Sequence, residues 1–560
     1  MATSRRMCPP RMGLTAFAAT LLTTLTSAPT TAAAPLPSCA EIGTNPAHGL
    51  AGNPQISGLT VQVVPATTTP PISAAYCRVD FTFSGESGPS AGYLPGQSEQ
   101  IRIRVGLPLN SVDGGTGGDE GAWNGKNRDL GGGGYAGGVG GVTSSTNRGY
   151  VGTSTDTGHD GTVTPGGSFA LNPDGTLNWG LIRDFSRDGI RQQHLWGVRL
   201  AKAYYRQAPE RRYWMGCSTG GRQGHYQAQN FPKAYDGILA GAPAFNWDRF
   251  IPAELWPQIV MNQELGAPIA GAKLTAVSNA AIAACDAIDG VTDGIIEDPR
   301  KCRYDANSFV CTGGPGDPAN CLTSAEAAVV NKIWDGPVAT SGGHGYHGGG
   351  RAWYGLERGT LLGALAGTNP FSIAVDHYRY WIKQDAAFDW KTVTEESFFE
   401  DFVESIEKFN DVIGTDDSLE DFRKAGGKMI VYHGLFDPLI MPRGTYNYYD
   451  GVKGDTQKKQ KFYRYFPYPN AGHCGGAGLD AEALFSALVD WVEHGVAPDS
   501  LVAQVSPTRT RKICKYPDVQ VYGGAGSVDD HNSFTCQVRK KDDKDLLAQD
   551  ELDNQFLPDN

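Results

Sequence analysis

The sequence lacks a cluster of basic residues, and acidic residues outnumber basic ones along its 560 positions. Asp and Glu number 60 against 48 Lys and Arg, which gives a formal net charge of −12. Proteins that bind nucleic acid usually carry a basic patch that neutralises phosphates. We therefore expect no nucleic-acid partner, and ordinary solvation of the surface accounts for the acidic excess.

Long apolar runs are also missing, with one short exception near the N-terminus. Residues 14–25 are apolar with interspersed Thr and Ala, follow Arg5, Arg6 and Arg11, and precede the small residues at 32–34. The run is shorter than the about 20 residues that cross a bilayer, and its flanks are typical of a secretory signal. The sequence predicts a signal peptide over residues 1–34 and no membrane partner.

Acceptor sites for N-glycosylation are absent as well, because no Asn begins an Asn-x-Ser or Asn-x-Thr triplet. A chain exported by a fungus usually carries several such sites on its surface. Their absence favours a bacterial source. The expected location is therefore secreted, either extracellular or periplasmic.

Cysteine, in contrast, is present in a number that suits export. Of the 11 cysteines, Cys8 lies in the predicted signal peptide, which leaves an even number for the mature chain. An even number in an exported chain indicates disulfides, although sequence alone does not give their connectivity. Proximity along the chain favours four pairs: Cys39 with Cys77, Cys285 with Cys302, Cys311 with Cys321, and Cys514 with Cys536.

The most informative motif is Gly-Cys-Ser-Thr-Gly at residues 216–220, which fits the Gly-x-Ser-x-Gly pattern of a nucleophile elbow. The sharp turn from strand to helix needs small residues around the serine because a Cβ there would clash. In a chain with 73 glycines the motif also arises by chance, as a plain Gly/Ser turn. A strand-like run before it and a helix-like stretch after it favour Ser218 as a nucleophile.

A serine nucleophile needs a general base and an acid that orients the base. His473 lies in a loop after a predicted strand, and Asp437 follows another predicted strand. The order serine, acid, histidine along the chain is the order of α/β-hydrolases. His433 and His159 are alternatives for the base. We expect His433 to pack under the loop of Asp437 and His159 to be structural.

An oxyanion hole requires two backbone N–H groups. Thr219 supplies one because it directly follows the nucleophile. The other is expected from four successive glycines at residues 131–134, where the backbone can approach the substrate closely, and we choose Gly132. A flexible linker is the alternative. A phosphate-binding loop is excluded because no Gly-Lys-Ser or Gly-Lys-Thr sequence follows.

Four stretches together resemble the tannase and feruloyl esterase family: Cys-Ser-Thr-Gly-Gly-Arg at 217–222, Tyr-Asp-Gly-Ile-Leu-Ala-Gly-Ala-Pro at 235–243, Gly-Leu-Phe-Asp-Pro-Leu-Ile at 434–440 and Gly-His-Cys at 472–474. The resemblance extends from about Cys39 to Cys536. It implies an α/β-hydrolase core, the four disulfides above, and a fifth that joins Cys217 to Cys474. A buried free thiol at Cys217 is the alternative.

The long segment between the predicted nucleophile and the predicted acid indicates an insertion. Far more residues separate Ser218 from Asp437 than the strands and helices of such a core require. We therefore expect an α/β fold, an α/β-hydrolase core with a large inserted lid domain. The catalytic domain is predicted over residues 35–245 and 420–560, and the lid over residues 246–419.

An acidic turn in the predicted lid, residues 285–298, suggests a metal site. Carboxylates this close together repel one another unless a cation lies among them, and oxygen ligands with interleaved glycines favour Ca²⁺. The family resemblance implies ligation by the side chains of Asp286, Asp289 and Asp293 and the carbonyls of Val291 and Ile295. The ion would be structural. A solvated acidic loop is the alternative.

These expectations combine into a secreted serine carboxylesterase that works through an acyl-enzyme. The resemblance implies a small-molecule aromatic ester as substrate, with phenolic acyl groups such as feruloyl first. Galloyl esters, and half-esters of aromatic diacids, are the alternatives. A half-ester needs a cationic partner for its free carboxylate, and the sequence identifies no Arg or Lys for that role. A non-catalytic binding protein or a peptidase on the same fold is more distant.

Overall fold

A computed structural model of the chain describes residues 35–67, 73–117, 121–339, 350–415 and 418–539. The predicted signal peptide, residues 1–34, lies outside these ranges. The described residues from Leu36 onward belong to one compact unit. Within the described ranges, no helix has the length and apolar character needed to cross a membrane.

Strands account for the central layer of the fold and for three small two-stranded sheets. In chain order they are β1 (Ile56–Val64), β2 (Tyr76–Phe83), β3 (Ile101–Pro108), β4 (Lys126–Leu130), β5 (Val151–Thr155), β6 (Arg211–Cys217), β7 (Gly237–Gly241), β8 (Val338–Ala339), β9 (Gly350–Arg351), β10 (Lys428–Gly434), β11 (Tyr463–Tyr468), β12 (Ser500–Ser506), β13 (Arg509–Cys514), β14 (Asp518–Tyr522) and β15 (Phe534–Val538).

Helices connect these strands and cover the central sheet. They are α1 (Cys39–Thr44), α2 (Thr143–Thr146), α3 (Trp179–Arg183), α4 (Gly189–Tyr205), α5 (Thr219–Asn230), α6 (Trp247–Leu265), α7 (Gly271–Cys285), α8 (Ser324–Asp335), α9 (Ser372–Asp376), α10 (Glu395–Ile413), α11 (Glu420–Lys424), α12 (Pro442–Gly451), α13 (Thr456–Lys459) and α14 (Ala481–His494).

The central sheet has nine strands in the order β1-β2-β3-β5-β4-β6-β7-β10-β11. The pairs from β1 to β5 are antiparallel, and every pair from β5 to β11 is parallel. Burial follows this division. Inward and outward residues alternate along β2, whereas every residue of β7 is buried, as expected for a parallel strand covered on both faces. The α/β fold class predicted from the sequence is confirmed.

A long insertion, residues 242–427, separates β7 from its parallel neighbour β10. It contains α6 to α11 and contributes no strand to the central sheet among its described residues. Its aromatic side chains pack on the core: Tyr135 lies edge-on to Trp247 and stacks against Trp381, with centroids 5.2 and 6.0 Å apart. The insertion therefore shares one apolar cluster with Tyr135 and with other segments that connect the strands of the sheet. The division into a catalytic domain and a lid remains a prediction.

Candidate active site

Ser218 occupies the turn between β6 and α5, at the carboxyl end of a central strand. Its backbone has a φ of 63° and a ψ of −125°, a conformation that costs free energy and is typical of functional turns. A Cβ on Gly216 would lie 2.7 Å from the backbone of Gly220. Glycine is therefore required for the turn to close, as the motif predicts.

A disulfide joins the residue before Ser218 to the residue after His473. The sulfur atoms of Cys217 and Cys474 are 2.01 Å apart, and their Cα atoms are 6.0 Å apart, within the normal range for a disulfide. The elbow and the histidine loop are thus linked covalently, although they come from distant parts of the sequence.

The other four cysteine pairs also match the predicted connectivity. Their Cα atoms lie between 5.2 and 5.6 Å apart. The pairs are Cys39 with Cys77, Cys285 with Cys302, Cys311 with Cys321, and Cys514 with Cys536.

Asp437 follows β10 and holds the imidazole of His473. Its Oδ2 lies 2.7 Å from His473 Nδ1, while its Oδ1 accepts hydrogen bonds from the backbone N–H groups of Leu439 and Ile440 at 2.9 and 3.0 Å. Burial alone would raise the pKa of Asp437. The hydrogen bonds from His433 and His473 outweigh that effect and hold the pKa well below its usual range. The carboxylate is therefore charged at neutral pH.

His433 lies beneath the loop that carries Asp437 (the acid loop), as predicted, and is fully buried. Its Nε2 is 3.1 Å from Asp437 Oδ2, and its Nδ1 is 2.8 Å from Thr445 Oγ1. The second alternative base, His159, is buried against Phe169, with ring centroids 4.0 Å apart. Burial lowers the pKa of His159 to about 4. Neither histidine lines the cavity that contains Ser218.

A cavity of about 150 Å³ lies between the elbow, the histidine loop and the insertion. Ser218 and His473 both line it, and so does Thr219, the first residue of α5. Most of the remaining wall is apolar. The lining residues are Gly134, Ser218, Thr219, Ala244, Trp247, Phe250, Ile251, Glu254, Phe371, Ile373, Leu439, Ile440 and His473.

The structure contradicts the choice of Gly132 as an oxyanion-hole donor. Its N–H donates a hydrogen bond to Gln223 Oε1 at 2.9 Å, so the group is already engaged. The glycine segment nevertheless touches the elbow closely, because a Cβ on Gly131 would lie 2.5 Å from the Cα of Gly220. Gly134 lines the cavity, and its carbonyl accepts a hydrogen bond from Thr219 Oγ1 at 2.6 Å.

The predicted calcium ligands form a tight turn after α7. Asp286 Oδ1 accepts hydrogen bonds from the backbone N–H groups of residues 293–295, at 3.1, 2.9 and 3.2 Å. Asp289 Oδ1 accepts one from the N–H of Val291 at 3.0 Å. Carboxylate and carbonyl oxygens are the ligand types that Ca²⁺ prefers, so the donor chemistry of the turn fits this ion.

Two arginines from β13 compensate the charge of this turn. Arg511 and Arg509 both form ion pairs with the carboxylate of Asp293. In the described part of the chain, Asp286, Asp289 and Asp293 do not form a group whose ligand atoms all lie within 4.8 Å of one another. Burial, together with the charge of Asp293, raises the pKa of Asp289. Calcium binding remains a prediction.

Comparison with known proteins identifies the family. A family model described as "Tannase and feruloyl esterase" matches residues 120–537. The chain belongs to this family. Its members are carboxylic ester hydrolases, and the chain is therefore an enzyme of that class with the α/β-hydrolase fold.

Two curated relatives illustrate the similarity. A probable feruloyl esterase of Arthroderma benhamiae is 32% identical over 504 residues, which cover 84% of this chain and 87% of the relative. A probable feruloyl esterase B-1 of Aspergillus oryzae is 30% identical over 522 residues, which cover 87% of each.

Two solved structures share the fold. Feruloyl esterase B from Aspergillus oryzae superposes with a TM-score of 0.73 and 27% identity, covering 89% of this chain and 100% of that protein. Tannin acyl hydrolase from Aspergillus niger gives a TM-score of 0.74 at 21% identity, covering 91% and 96%, and this likeness shows the fold alone.

Sequence reasoning missed two residues of the site. Gln223 accepts a hydrogen bond from the N–H of Gly132. A run of glycines does not indicate which of its N–H groups will donate to a side chain far along the sequence. Glu254 lines the cavity although it lies on the buried helix α6. A signal for Glu254 exists: it is the single charged residue in the apolar run 250–261.

Proposed function

We propose that this chain is an exported serine carboxylesterase that hydrolyses esters of phenolic acids through an acyl-enzyme on Ser218. The observation that carries the proposal is the cavity lined by both Ser218 and His473. Asp437 is hydrogen-bonded to Nδ1 of the His473 imidazole. The names of its relatives support a feruloyl-type acyl group.

In this mechanism His473 is the general base. Because Nδ1 is held by Asp437, Nε2 is the nitrogen that takes the proton of Ser218 as its Oγ attacks the ester carbon. The imidazolium then protonates the leaving alcohol, and the acyl group remains on Ser218. Water, deprotonated by His473, hydrolyses this acyl-enzyme. Asp437 stabilises the imidazolium and keeps its own charge throughout.

The backbone on both sides of the cavity supplies the oxyanion hole in our proposal. Thr219 is the first residue of α5, so its N–H has no carbonyl one turn earlier in the helix to receive it. The second N–H comes from the glycine segment next to Thr219, at residue 133 or 134 instead of Gly132. Both donors act on the oxygen of the tetrahedral intermediate.

The composition of the cavity wall distinguishes the candidate substrates. Of the described residues that line the cavity, none is Lys or Arg. A half-ester of an aromatic diacid would place an unpaired carboxylate against an apolar wall, which costs free energy. The wall therefore favours phenolic esters over half-esters, and the names of the relatives favour feruloyl over galloyl groups. Membership of an ester hydrolase family argues against a peptidase and a non-catalytic binding protein.

Two further parts of the proposal concern stability and location. We propose that the insertion is a lid and that Ca²⁺ binds its acidic turn through Asp286, Asp289, Asp293 and the carbonyls of Val291 and Ile295. The ion would stabilise the insertion and take no part in the reaction. Five disulfides suit an oxidising compartment, which supports export directed by the predicted signal peptide.

Replacement of the nucleophile tests the proposed function. Ser218→Ala should lower kcat for methyl ferulate by about 10⁴-fold or more, because the acyl-enzyme cannot form. A fluorophosphonate probe should label the wild-type protein at Ser218. Ser486→Ala, a change at an exposed serine of α14, is the matched control and should keep wild-type activity.

The same assay compares acyl groups. Methyl ferulate should be hydrolysed faster than methyl gallate and much faster than a terephthalate half-ester. Labelling at another serine, with Ser218→Ala still active, would contradict the proposed nucleophile. Preference for the half-ester would contradict the proposed substrate class.

A further inference from the structure

The active-site cavity contains one acidic side chain in a wall that is otherwise mostly apolar. Apart from His473, Glu254 is the only ionisable residue among the described residues that line the cavity. Aromatic and aliphatic side chains of the insertion and of the acid loop, such as Phe250 and Leu439, form the surrounding surface. A carboxyl group in such a place needs a physical reason, because burying a polar group without a partner costs free energy.

The environment of Glu254 leaves one oxygen of that carboxyl group without a hydrogen-bond partner among the described residues. The residue is 2% exposed, and its Oε2 is buried with no hydrogen-bond partner among the described residues. Burial, together with the charge of Asp437, raises the pKa of Glu254 well above its usual range. Its surroundings therefore favour the protonated form of the carboxyl group, which can donate one hydrogen bond and accept others.

We propose that Glu254 recognises the acyl group of the substrate by exchanging hydrogen bonds with a hydroxyl on its aromatic ring. This inference rests on the proposed function and specifies the substrate class further. Glu254 acts on binding and orientation and takes no part in proton transfer at the ester. An apolar cavity of about 150 Å³ holds one benzene ring in another protein, so the size of this cavity also fits a single ring.

Two consequences for selectivity follow from this chemistry. An acyl ring without a hydroxyl leaves Glu254 unpaired in the complex, and sites built to bind a hydroxyl discriminate strongly against analogues that lack it. A ring with a carboxylate places a negative charge beside a group that must stay uncharged. Hydroxylated acyl groups should therefore be the best substrates, unsubstituted ones weaker and carboxylated ones weakest.

The same helix offers a matched control for burial of a carboxyl group. Asp248 is fully buried on α6, and neither of its carboxylate oxygens has a hydrogen-bond partner within the described ranges. Burial raises its pKa to about 6. It does not line the cavity. Replacing Asp248 therefore reports the structural effect of changing a buried acid on this helix, without the effect on substrate recognition.

The test measures kcat/KM for methyl 4-hydroxycinnamate, methyl cinnamate and methyl 4-carboxycinnamate. Wild type should prefer the hydroxylated ester to the unsubstituted one by about 10-fold or more. Glu254→Leu should lower kcat/KM for the hydroxylated ester about 10–100-fold and change the unsubstituted ester less than about threefold. Glu254→Gln, whose amide can also donate and accept, should keep most of the preference. Asp248→Asn should leave the ratio unchanged.

Three outcomes would overturn the proposed role of Glu254. A wild-type enzyme that hydrolyses the two uncharged esters equally, or prefers the carboxylated one, overturns the inference whether or not Glu254→Leu folds. An unchanged ratio in folded Glu254→Leu overturns it as well. If wild type hydrolyses none of the three esters while Ser218 is still labelled by a fluorophosphonate, the proposed substrate class fails together with this inference.

Discussion

At Asp437 four donors converge on one buried carboxylate. Two are backbone N–H groups of the following turn, and two are the imidazoles of His473 and His433. A buried charge is stable only when its oxygens are satisfied. Oδ1 fixes the acid loop, and Oδ2 is shared between the proposed base and a second histidine that does not reach the cavity. His433 is therefore a positioning residue for the acid.

Removal of this second histidine should weaken catalysis without abolishing it. His433→Ala takes one hydrogen bond from a charged group, a loss of about 1.5–3 kcal/mol. We expect kcat to fall about 10–100-fold, mostly without a change in KM, because His433 does not line the cavity. His473→Ala should cost far more, since it removes the base itself.

Steady-state kinetics of the two variants, with circular dichroism to confirm folding, check this order. His494→Ala is the control, because His494 ends α14 and its side chain is 65% exposed. Equal losses in His433→Ala and His473→Ala would contradict a positioning role. An unchanged kcat in folded His433→Ala would do the same.

The arrangement of the candidate site could be predicted for residues whose position follows from the local sequence. Ser218, Asp437 and His473 each follow a strand, and the structure brings them to the same edge of the sheet. Glu254 and Gly132 depend on tertiary contacts instead. The side chain of Glu254 reaches the cavity from a helix buried on all sides, and the N–H of Gly132 is taken by a glutamine far along the chain.

At the scale of elements, strong apolar patterns gave accurate bounds. Apolar residues on one face predict a helix over 481–494, which is α14 (Ala481–His494), and an apolar run predicts a strand over 428–433, which is β10 (Lys428–Gly434). Periodic apolar residues predict a helix over 188–208. The helix there is shorter, α4 (Gly189–Tyr205), because a π-helical turn, Asp184–Asp188, precedes it and Arg206 ends it in a left-handed conformation. Such ends depend on local backbone geometry that periodicity does not encode.

The disulfide between the elbow and the histidine loop should matter for catalysis as well as stability. It closes a loop with a sequence separation of 257, so in the chain-entropy model its loss costs about 5 kcal/mol. The double variant Cys217→Ala/Cys474→Ala should melt at a lower temperature. We also expect kcat per folded molecule to fall about 10-fold or more, because small displacements of Ser218 against His473 slow the reaction.

A second disulfide separates these two effects. The pair Cys311 and Cys321 has a sequence separation of 10, and neither cysteine lines the active-site cavity. Cys311→Ala/Cys321→Ala should cost up to about 3 kcal/mol of stability and leave kcat per folded molecule unchanged. Thermal melting and kinetics of both double variants check the contrast. Equal kcat values in the two would show that the link near the site acts through stability alone.

For the whole molecule, the position of the insertion in the chain was predictable from the sequence, but its packing against the rest of the protein was not. The interval between nucleophile and acid revealed that it exists, whereas its packing depends on aromatic contacts of Trp247 and Trp381 with Tyr135. Its acidic turn also contacts strand β13, far along the chain, through Arg511. Local sequence does not predict such ion pairs between distant segments. That arginines of β13 compensate the acidic turn is therefore known only from the structure.

The calcium proposal is tested on the intact enzyme. Three aspartates lie in one turn, and of these three only Asp293 pairs with Arg511 and Arg509, so Asp286 and Asp289 are left for a cation to neutralise. An ion that binds only the folded state stabilises it by mass action. Removal of Ca²⁺ with a chelator should lower the melting temperature by several degrees, on the order of 5 °C, and added Ca²⁺ should restore it.

Kinetic activity per folded molecule should stay within about twofold, because no proposed ligand lines the cavity. Asp289→Ala should have a lower melting temperature than wild type, and the chelator should not lower it further. Asp317→Ala, outside the turn, should respond to the chelator as wild type does. Protein without calcium by elemental analysis, and with the same melting temperature before and after chelation, would mean that the two arginines and solvent suffice to stabilise the turn.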